Sequence, residues 1–168
     1  MQRHYGNMLN EFILPSKTKL LVFTANGVIT NNKKLVMGAG IAKTIKEQYP
    51  DIDSWFGQAM VGNPRLLIPT VTKHNEDVYV YKYGLLRGVY NEQAIAALQT
   101  KLHFSTPSPL ELVKQSLLIL ENATKDNYEE VHLTMPGVGY GKLPLRDVLP
   151  LVERLPDNFH VWSKRDMF

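Results

Sequence analysis

Four short runs restrict the fold more than anything else in the chain: Lys19–Thr24 (KLLVFT), Ile95–Thr100 (IAALQT), Glu130–Pro136 (EVHLTMP) and Phe159–Ser163 (FHVWS). A sheet with one wet face alternates apolar and polar residues. Several of these runs are too uniformly apolar for that, so their sheet must be covered on both sides. Arg65–Pro69 (RLLIP) and Val78–Tyr83 (VYVYKY) are further strand candidates. Helical patterns fall between the strands. Ile41, Ala42, Ile45 and Tyr49 repeat at helical spacing until Pro50 stops them, and Asp53–Met60 reads as a second, shorter helix. Ser108-Pro109-Leu110-Glu111 has the form of a capping box with proline at the first helical position, opening a helix to about Asn122 whose buried stripe is Val113, Leu117 and Leu120. A last helix falls within Leu145–Leu155, kinked or delayed by Pro150. The alternation predicts an α/β class with helices on both sides of a mixed sheet. No repeat, low-complexity segment or Gly/Ser linker divides the 168 residues, so one domain spanning 1–168 is expected.

Two glycine-bearing loops follow strands. The first runs from Thr24-Ala25-Asn26-Gly27 to Gly38-Ala39-Gly40 and enters the helix that begins near Gly40. The second, Met135–Pro144, alternates Gly137, Gly139 and Gly141. Open α/β sheets bind ligands beyond the carboxyl ends of their strands, and helix N-termini and glycine nests offer backbone N–H groups to phosphate. Each loop alone is also compatible with an ordinary turn. The dinucleotide fingerprint is incomplete, with Lys43 in place of its third glycine, and no P-loop motif occurs. The pair of loops points to a nucleotide-type anion.

Composition narrows the classes further. With 44% hydrophobic and 21% charged residues the chain has ordinary globular content. It has no cysteine, which excludes disulfides and thiolate metal sites, and its five histidines lack paired metal-ligand spacing, so no metal is expected. The net charge of +3 is spread without a basic run, and gives no strong nucleic-acid signal. Neither a signal peptide nor a membrane-spanning run is present, so a cytoplasmic protein is expected.

With these residues in place, the sequence resembles a macrodomain, the family that binds ADP-ribose and related molecules. Tyr5-Gly6-Asn7-Met8-Leu9 resembles the family's opening strand and its G-[DN]-[IL] turn beside the adenine. Thr24-Ala25-Asn26-Gly27 is similar to its asparagine loop, and Val36–Ala42 to the segment that wraps the distal ribose and phosphates. Pro136–Gly141 resembles the second phosphate loop. The resemblance implies a three-layer α/β/α fold with a mixed, mostly parallel central sheet. It implies a ligand held by Asn7, Met8, Asn26, Gly38, Ala39, Gly40, Ile41, Gly137, Val138, Gly139, Tyr140 and Gly141. An aromatic ring usually stacks on the adenine in this family. Trp162, Tyr140 and Phe168 are candidates, although a strand tryptophan is more often core.

Within the family the resemblance runs to stand-alone bacterial and phage members. Thr100-Lys101-Leu102-His103-Phe104 is similar to a segment of relatives that remove ADP-ribose from proteins or DNA, in which the lysine attacks the anomeric carbon and an aspartate of the second loop assists. Lys101 matches the lysine. The aspartate has no equivalent, since Lys142 follows Gly141 and Asp147 falls on the helix side. An ordinary lysine, with a pKa near ~10.4, is charged at neutral pH and cannot attack. Lys101 is therefore a nucleophile, a positive charge near the diphosphate, or a surface lysine. His103 reads as structural. The family's ADP-ribose 1″-phosphate phosphatases rely on a histidine or on bound water, and no histidine here can be matched to theirs. The expected function is binding of ADP-ribose or an NAD-derived conjugate, free or on an ADP-ribosylated target. For a phage-like member this would sequester a signal in anti-defence; the alternatives are a hydrolase and a phosphatase. No cofactor is implied.

Overall fold

The apolar runs form the middle of one sheet in the computed structural model, which describes residues 1–68 and 78–164. Strands β1 (Gln2–Tyr5), β2 (Lys19–Ala25), β5 (Leu85–Tyr90), β6 (Gln93–Gln99), β7 (Glu130–Thr134) and β8 (Phe159–Ser163) lie in the order β1-β8-β7-β2-β6-β5. All neighbouring pairs are parallel except β5 with β6. Strands β3 (Val28–Thr30) and β4 (Val78–Val80) form a separate antiparallel pair.

Because side chains alternate along each strand, β2, β6 and β8 supply two cores at once. On one face Leu21, Phe23, Ile95 and Ala97 meet Ala42 and Ile45 of α1 (Gly40–Gln48) and Ile52, Phe56 and Met60 of α2 (Ile52–Val61). On the other, Leu20, Val22, Ala96 and Val131 meet Val113, Leu117 and Leu120 of α3 (Leu110–Thr124) and Val148 and Val152 of α4 (Leu145–Glu153). The result is the expected three layers with a mixed, mostly parallel sheet.

Some local expectations give way. Arg65–Pro69 is not a strand: Pro64–Leu66 turns as a short 3₁₀ helix, where proline's fixed φ suits the first position, and Leu67 makes only an isolated bridge to Tyr81. Pro69 lies outside the described residues. Ser108 does not cap α3, since Pro109 holds the cap position and no side chain bonds there. Ser108 is instead buried, its N–H donating to the Gly141 carbonyl (2.8 Å). Strand β5 escapes the pattern because it is a half-exposed edge. It turns into β6 through Asn91 and Glu92, both at positive φ, and a Glu at such a place carries little turn signal. Pro150 does sit inside α4, where it has no N–H to give the carbonyl of Arg146, in an exposed first turn.

Strand β6 is buried at all seven positions and carries a glutamine at each end. The Gln93 amide accepts from Ser16 N (3.0 Å) and donates to the carbonyls of Lys19 and Ala94. Gln99 Oε1 accepts from the N–H groups of Tyr83 and Gly84, and its Nε2 donates to the carbonyls of Tyr81 and Lys101. Gln99→Leu would leave these backbone groups without their partner. It should lower the unfolding free energy by roughly 2–5 kcal/mol, as read by urea denaturation, because a buried unsatisfied group costs about 1–3 kcal/mol.

Candidate functional site

A cavity of about 600 Å³ opens where the parallel strands end. Its walls come from the carboxyl ends of β2 (Thr24, Ala25, Asn26), β6 (Thr100, Lys101), β7 (Thr134, Met135) and β8 (Trp162, Ser163, Lys164). The turn Gly6-Asn7-Met8, the segment Gly38–Ala42 and the loop Gly137–Gly141 complete it. All thirteen residues expected to contact a ligand, together with Lys101, thus line one cavity. Phe168 lies outside the described residues.

The two glycine loops are built differently from one residue to the next. A side chain on Gly141 would strike Ser108, one on Gly137 would strike Leu143, and one on Gly27 would strike the Tyr81 carbonyl. Those three glycines serve packing. Nothing lies within 4 Å of the Cβ positions of Gly38 and Gly139, and Gly139 also holds φ +81°, which disfavours other residues. These two leave backbone exposed to whatever occupies the cavity. Beyond Gly38, α1 begins at Gly40 with no side-chain cap, so its first N–H groups keep their capacity for an acceptor. Tyr140 reaches back across the mouth to within 3.3 Å of the Gly40 Cβ position, joining the two loops while remaining 70% exposed.

Electrostatics agree with the backbone. Lys101 and Lys164 line the cavity, and no carboxylate does among the described residues. Burial, then the charge of Lys142, draws the Lys101 amine below its ordinary pKa. Its Nζ lies 3.4 Å from the Phe104 carbonyl. An anion with an apolar body fits such a cavity better than a cation does.

Comparison with solved structures places this geometry. The macrodomain of Mycobacterium tuberculosis DarG superposes with a TM-score of 0.61 at 24% identity, over 96% of this chain and 97% of that one. The macrodomain of Thermus aquaticus DarG gives 0.61 at 24% identity, over 98% and 97%. Thermosipho africanus DarTG, in complex with ADP-ribose, gives 0.58 at 22% identity over 86% of this chain, which spans 37% of that longer protein. The chain has the macrodomain fold. No protein-family model matches the sequence, and no curated protein does.

Several side chains of this macrodomain fold do more than face the cavity. Asn26 Oδ1 accepts from Val28 N (2.9 Å) and its Nδ2 donates to the Val36 carbonyl (3.0 Å), so its amide holds the first loop closed. The Tyr83 hydroxyl donates to the Asn26 carbonyl from the far side. Asn7 caps the 3₁₀ helix Met8–Phe12 through Leu9 N. His103 does not line the cavity: its Nδ1 accepts from Ser105 N, ordering the turn after Lys101. Trp162 is buried, with one ring face on His4 at 4.5 Å. It is core and cavity wall at once.

Sequence spacing missed a cluster of titratable side chains behind that wall. Glu130, His132 and His160 each offer an atom within 4.8 Å of the others, because adjacent strands bring His132 and His160 into register. The two imidazoles lie parallel (10°) with centroids 4.4 Å apart. Lone pairs lie in the ring planes, so those of these two rings run side by side rather than converging on one cation. The indole Nε1–H of Trp162 donates to His132 Nδ1 (2.9 Å), and indole can only donate. The hydrogen of neutral His132 must then sit on Nε2, facing Glu130 Oε1 at 3.0 Å, where a metal would need a lone pair. The arrangement suits shared protons.

Burial, above all, holds His132 and His160 below the ordinary imidazole pKa and so favours their neutral forms. Burial alone would raise Glu130, but the His132 hydrogen bond and the Lys19 charge outweigh it and keep it ionised. The unfolded chain therefore takes up more protons once pH drops below about 6.5. Stability should be greatest above that value and fall as pH is lowered from 7.5 to 5, which denaturant midpoints across that range would read.

Proposed function

We propose that this chain binds ADP-ribose, or an NAD-derived conjugate of it, in the cavity at the strand ends. The observation that carries the reading is the meeting of two exposed glycine backbones, Gly38 and Gly139, with the uncapped start of α1 in a cavity lined by lysines and no described carboxylate. A diphosphate lying between the segments Gly38–Ile41 and Gly137–Gly141 would accept from backbone donors that need no rearrangement. The distal ribose would meet Asn26, through the amide hydrogen and lone pair its loop bonds leave over, and the adenine would lie beside Asn7 and Met8 with Trp162 behind. A cavity of about 600 Å³ is in the range of nucleotide-sized ligands. Thermosipho africanus DarTG, part of which shares this fold, was solved in complex with ADP-ribose.

On this reading the protein captures its ligand intact, and sequestration of an ADP-ribose-type signal, by a phage or its host, is the role in which that would matter. No helix among the described residues is long and apolar enough to cross a membrane. One observation favours a second reading. Lys101 sits in the wall with its pKa drawn down, which raises the fraction of neutral amine able to attack an anomeric carbon. No carboxylate stands in the described lining to take up the proton, so such a hydrolase would work slowly and faster as pH rises.

Calorimetry with ADP-ribose, followed by chromatography of the recovered ligand and a panel of conjugates, separates the two. Intact recovery supports capture, and a cleaved product supports the hydrolase with Lys101 as its nucleophile. Gly38→Glu places a carboxylate where the phosphates would lie, at a position with open space and no positive φ. It should weaken ADP-ribose binding at least a hundredfold, about 2.7 kcal/mol, with an unchanged melting temperature. Unaltered affinity would remove this loop from the site.

A further inference from the structure

The hydrogen-bonded cluster behind the cavity does not belong to the ligand site, yet it touches that site at one point. Trp162 lines the cavity, and its Nε1–H ends on His132, which does not. We propose that His132 is a positioning residue for the ligand cavity: its Nδ1 lone pair holds the Trp162 indole in place, so that binding at the strand ends requires this imidazole to be neutral. The inference rests on the ADP-ribose reading for its ligand, but not for its geometry.

The geometry fixes the protons from Trp162 through His132 to Glu130. Indole donates and cannot accept, so His132 Nδ1 must be bare and Nε2–H must point at Glu130 Oε1. Adding a proton to His132 puts N–H against N–H at the Trp162 end. The indole must then turn away or lose its partner, and either change alters the cavity wall. Rotation of His132 offers little escape, because Phe12 meets it edge-on at 5.4 Å and His160 lies against its face. Trp162 is likewise confined by the ring of His4.

The groups that face His132 set when the proton arrives. Glu130 and Glu11 favour it, whereas Lys19 and burial oppose it. Lys19 lies 3.5 Å from Glu130 and 3.9 Å from Glu11, so it offsets both carboxylates. His160 is 3.4 Å from the same Glu130 oxygen and is bonded in turn to His4 Nε2 through its Nδ1 (2.7 Å). His160 makes no bond to the indole, so a proton there leaves the Trp162–His132 bond in place, whereas a proton on His132 Nδ1 breaks it.

The chain has two tryptophans, so its indole N–H signals can be assigned in a nitrogen-15 spectrum with Trp55→Phe. The experiment follows the Trp162 signal and the ADP-ribose affinity of the same protein from pH 8 to pH 5.5. The Trp162 signal should move with a midpoint below 6.5, and the affinity should fall with that midpoint, approaching tenfold per pH unit, the limit for one linked proton. His132→Asn keeps an acceptor near the indole but cannot titrate. Whatever affinity it has at pH 7.5, it should keep that affinity down to pH 5.5. His132→Phe removes the acceptor and should bind more weakly at every pH. A moving indole signal with a flat affinity profile overturns the coupling, as does a His132→Asn profile like that of the natural chain. If the natural chain binds no ADP-ribose at any pH, the functional reading fails, and the indole titration judges the rest: an Nε1–H signal indifferent to His132→Asn and to pH overturns the held geometry as well.

Discussion

Strand β6 is covered on both faces along its whole length, and that burial forces the arrangement of everything around the cavity. A strand so enclosed cannot lend its end groups to water, so it must bring its own polar partners. Gln99 is that partner at the cavity end, with four backbone groups from two neighbouring segments gathered on one amide. Those segments lead directly to the site: Lys101 follows Gln99, Tyr83 bonds the Asn26 carbonyl, and Tyr81 N–H reaches Gly27. The first glycine loop is therefore suspended from an interior side chain rather than from the surface. Pre-formed loops of this kind lose little conformational freedom when a ligand arrives.

The glycines of the two loops divide by what stands opposite them. Gly27, Gly137 and Gly141 are small because protein occupies the adjoining space, and Gly38 and Gly139 because nothing does. This division gives physical content to the notion of a glycine-rich loop. Three positions bring the walls close together, and two leave the backbone uncovered at the point where N–H groups collect.

Much of this was legible in the sequence, for reasons that can be named. Apolar runs without alternation declared a sheet buried on both sides, and the glycine loops fell after strands, where open sheets keep their crevice. The edge strand β5 was not legible, because half-exposed residues and an Asn-Glu turn leave only a faint pattern. Ser108 looked like a helix cap because its spacing to Glu111 was right; only the fold places Gly141 against it. The His132 and His160 pair illustrates the general limit. Its members stand on different strands, and parallel register, which no local spacing records, makes them neighbours. Likewise Lys164 joins Lys101 in the cavity wall only because β8 and β6 end at the same level.

Ser108 and Gly141 also bear on how this chain can change over generations. Their backbones are joined by a hydrogen bond, and the Ser108 hydroxyl fills the space a larger residue at 141 would need. Neither position can accept bulk alone. A lineage that enlarged one would first have to shrink or shift the other, passing through an intermediate with either a void or a clash. The pair should therefore drift together or not at all, tying the second glycine loop to the entrance of α3 by inheritance as well as by contact.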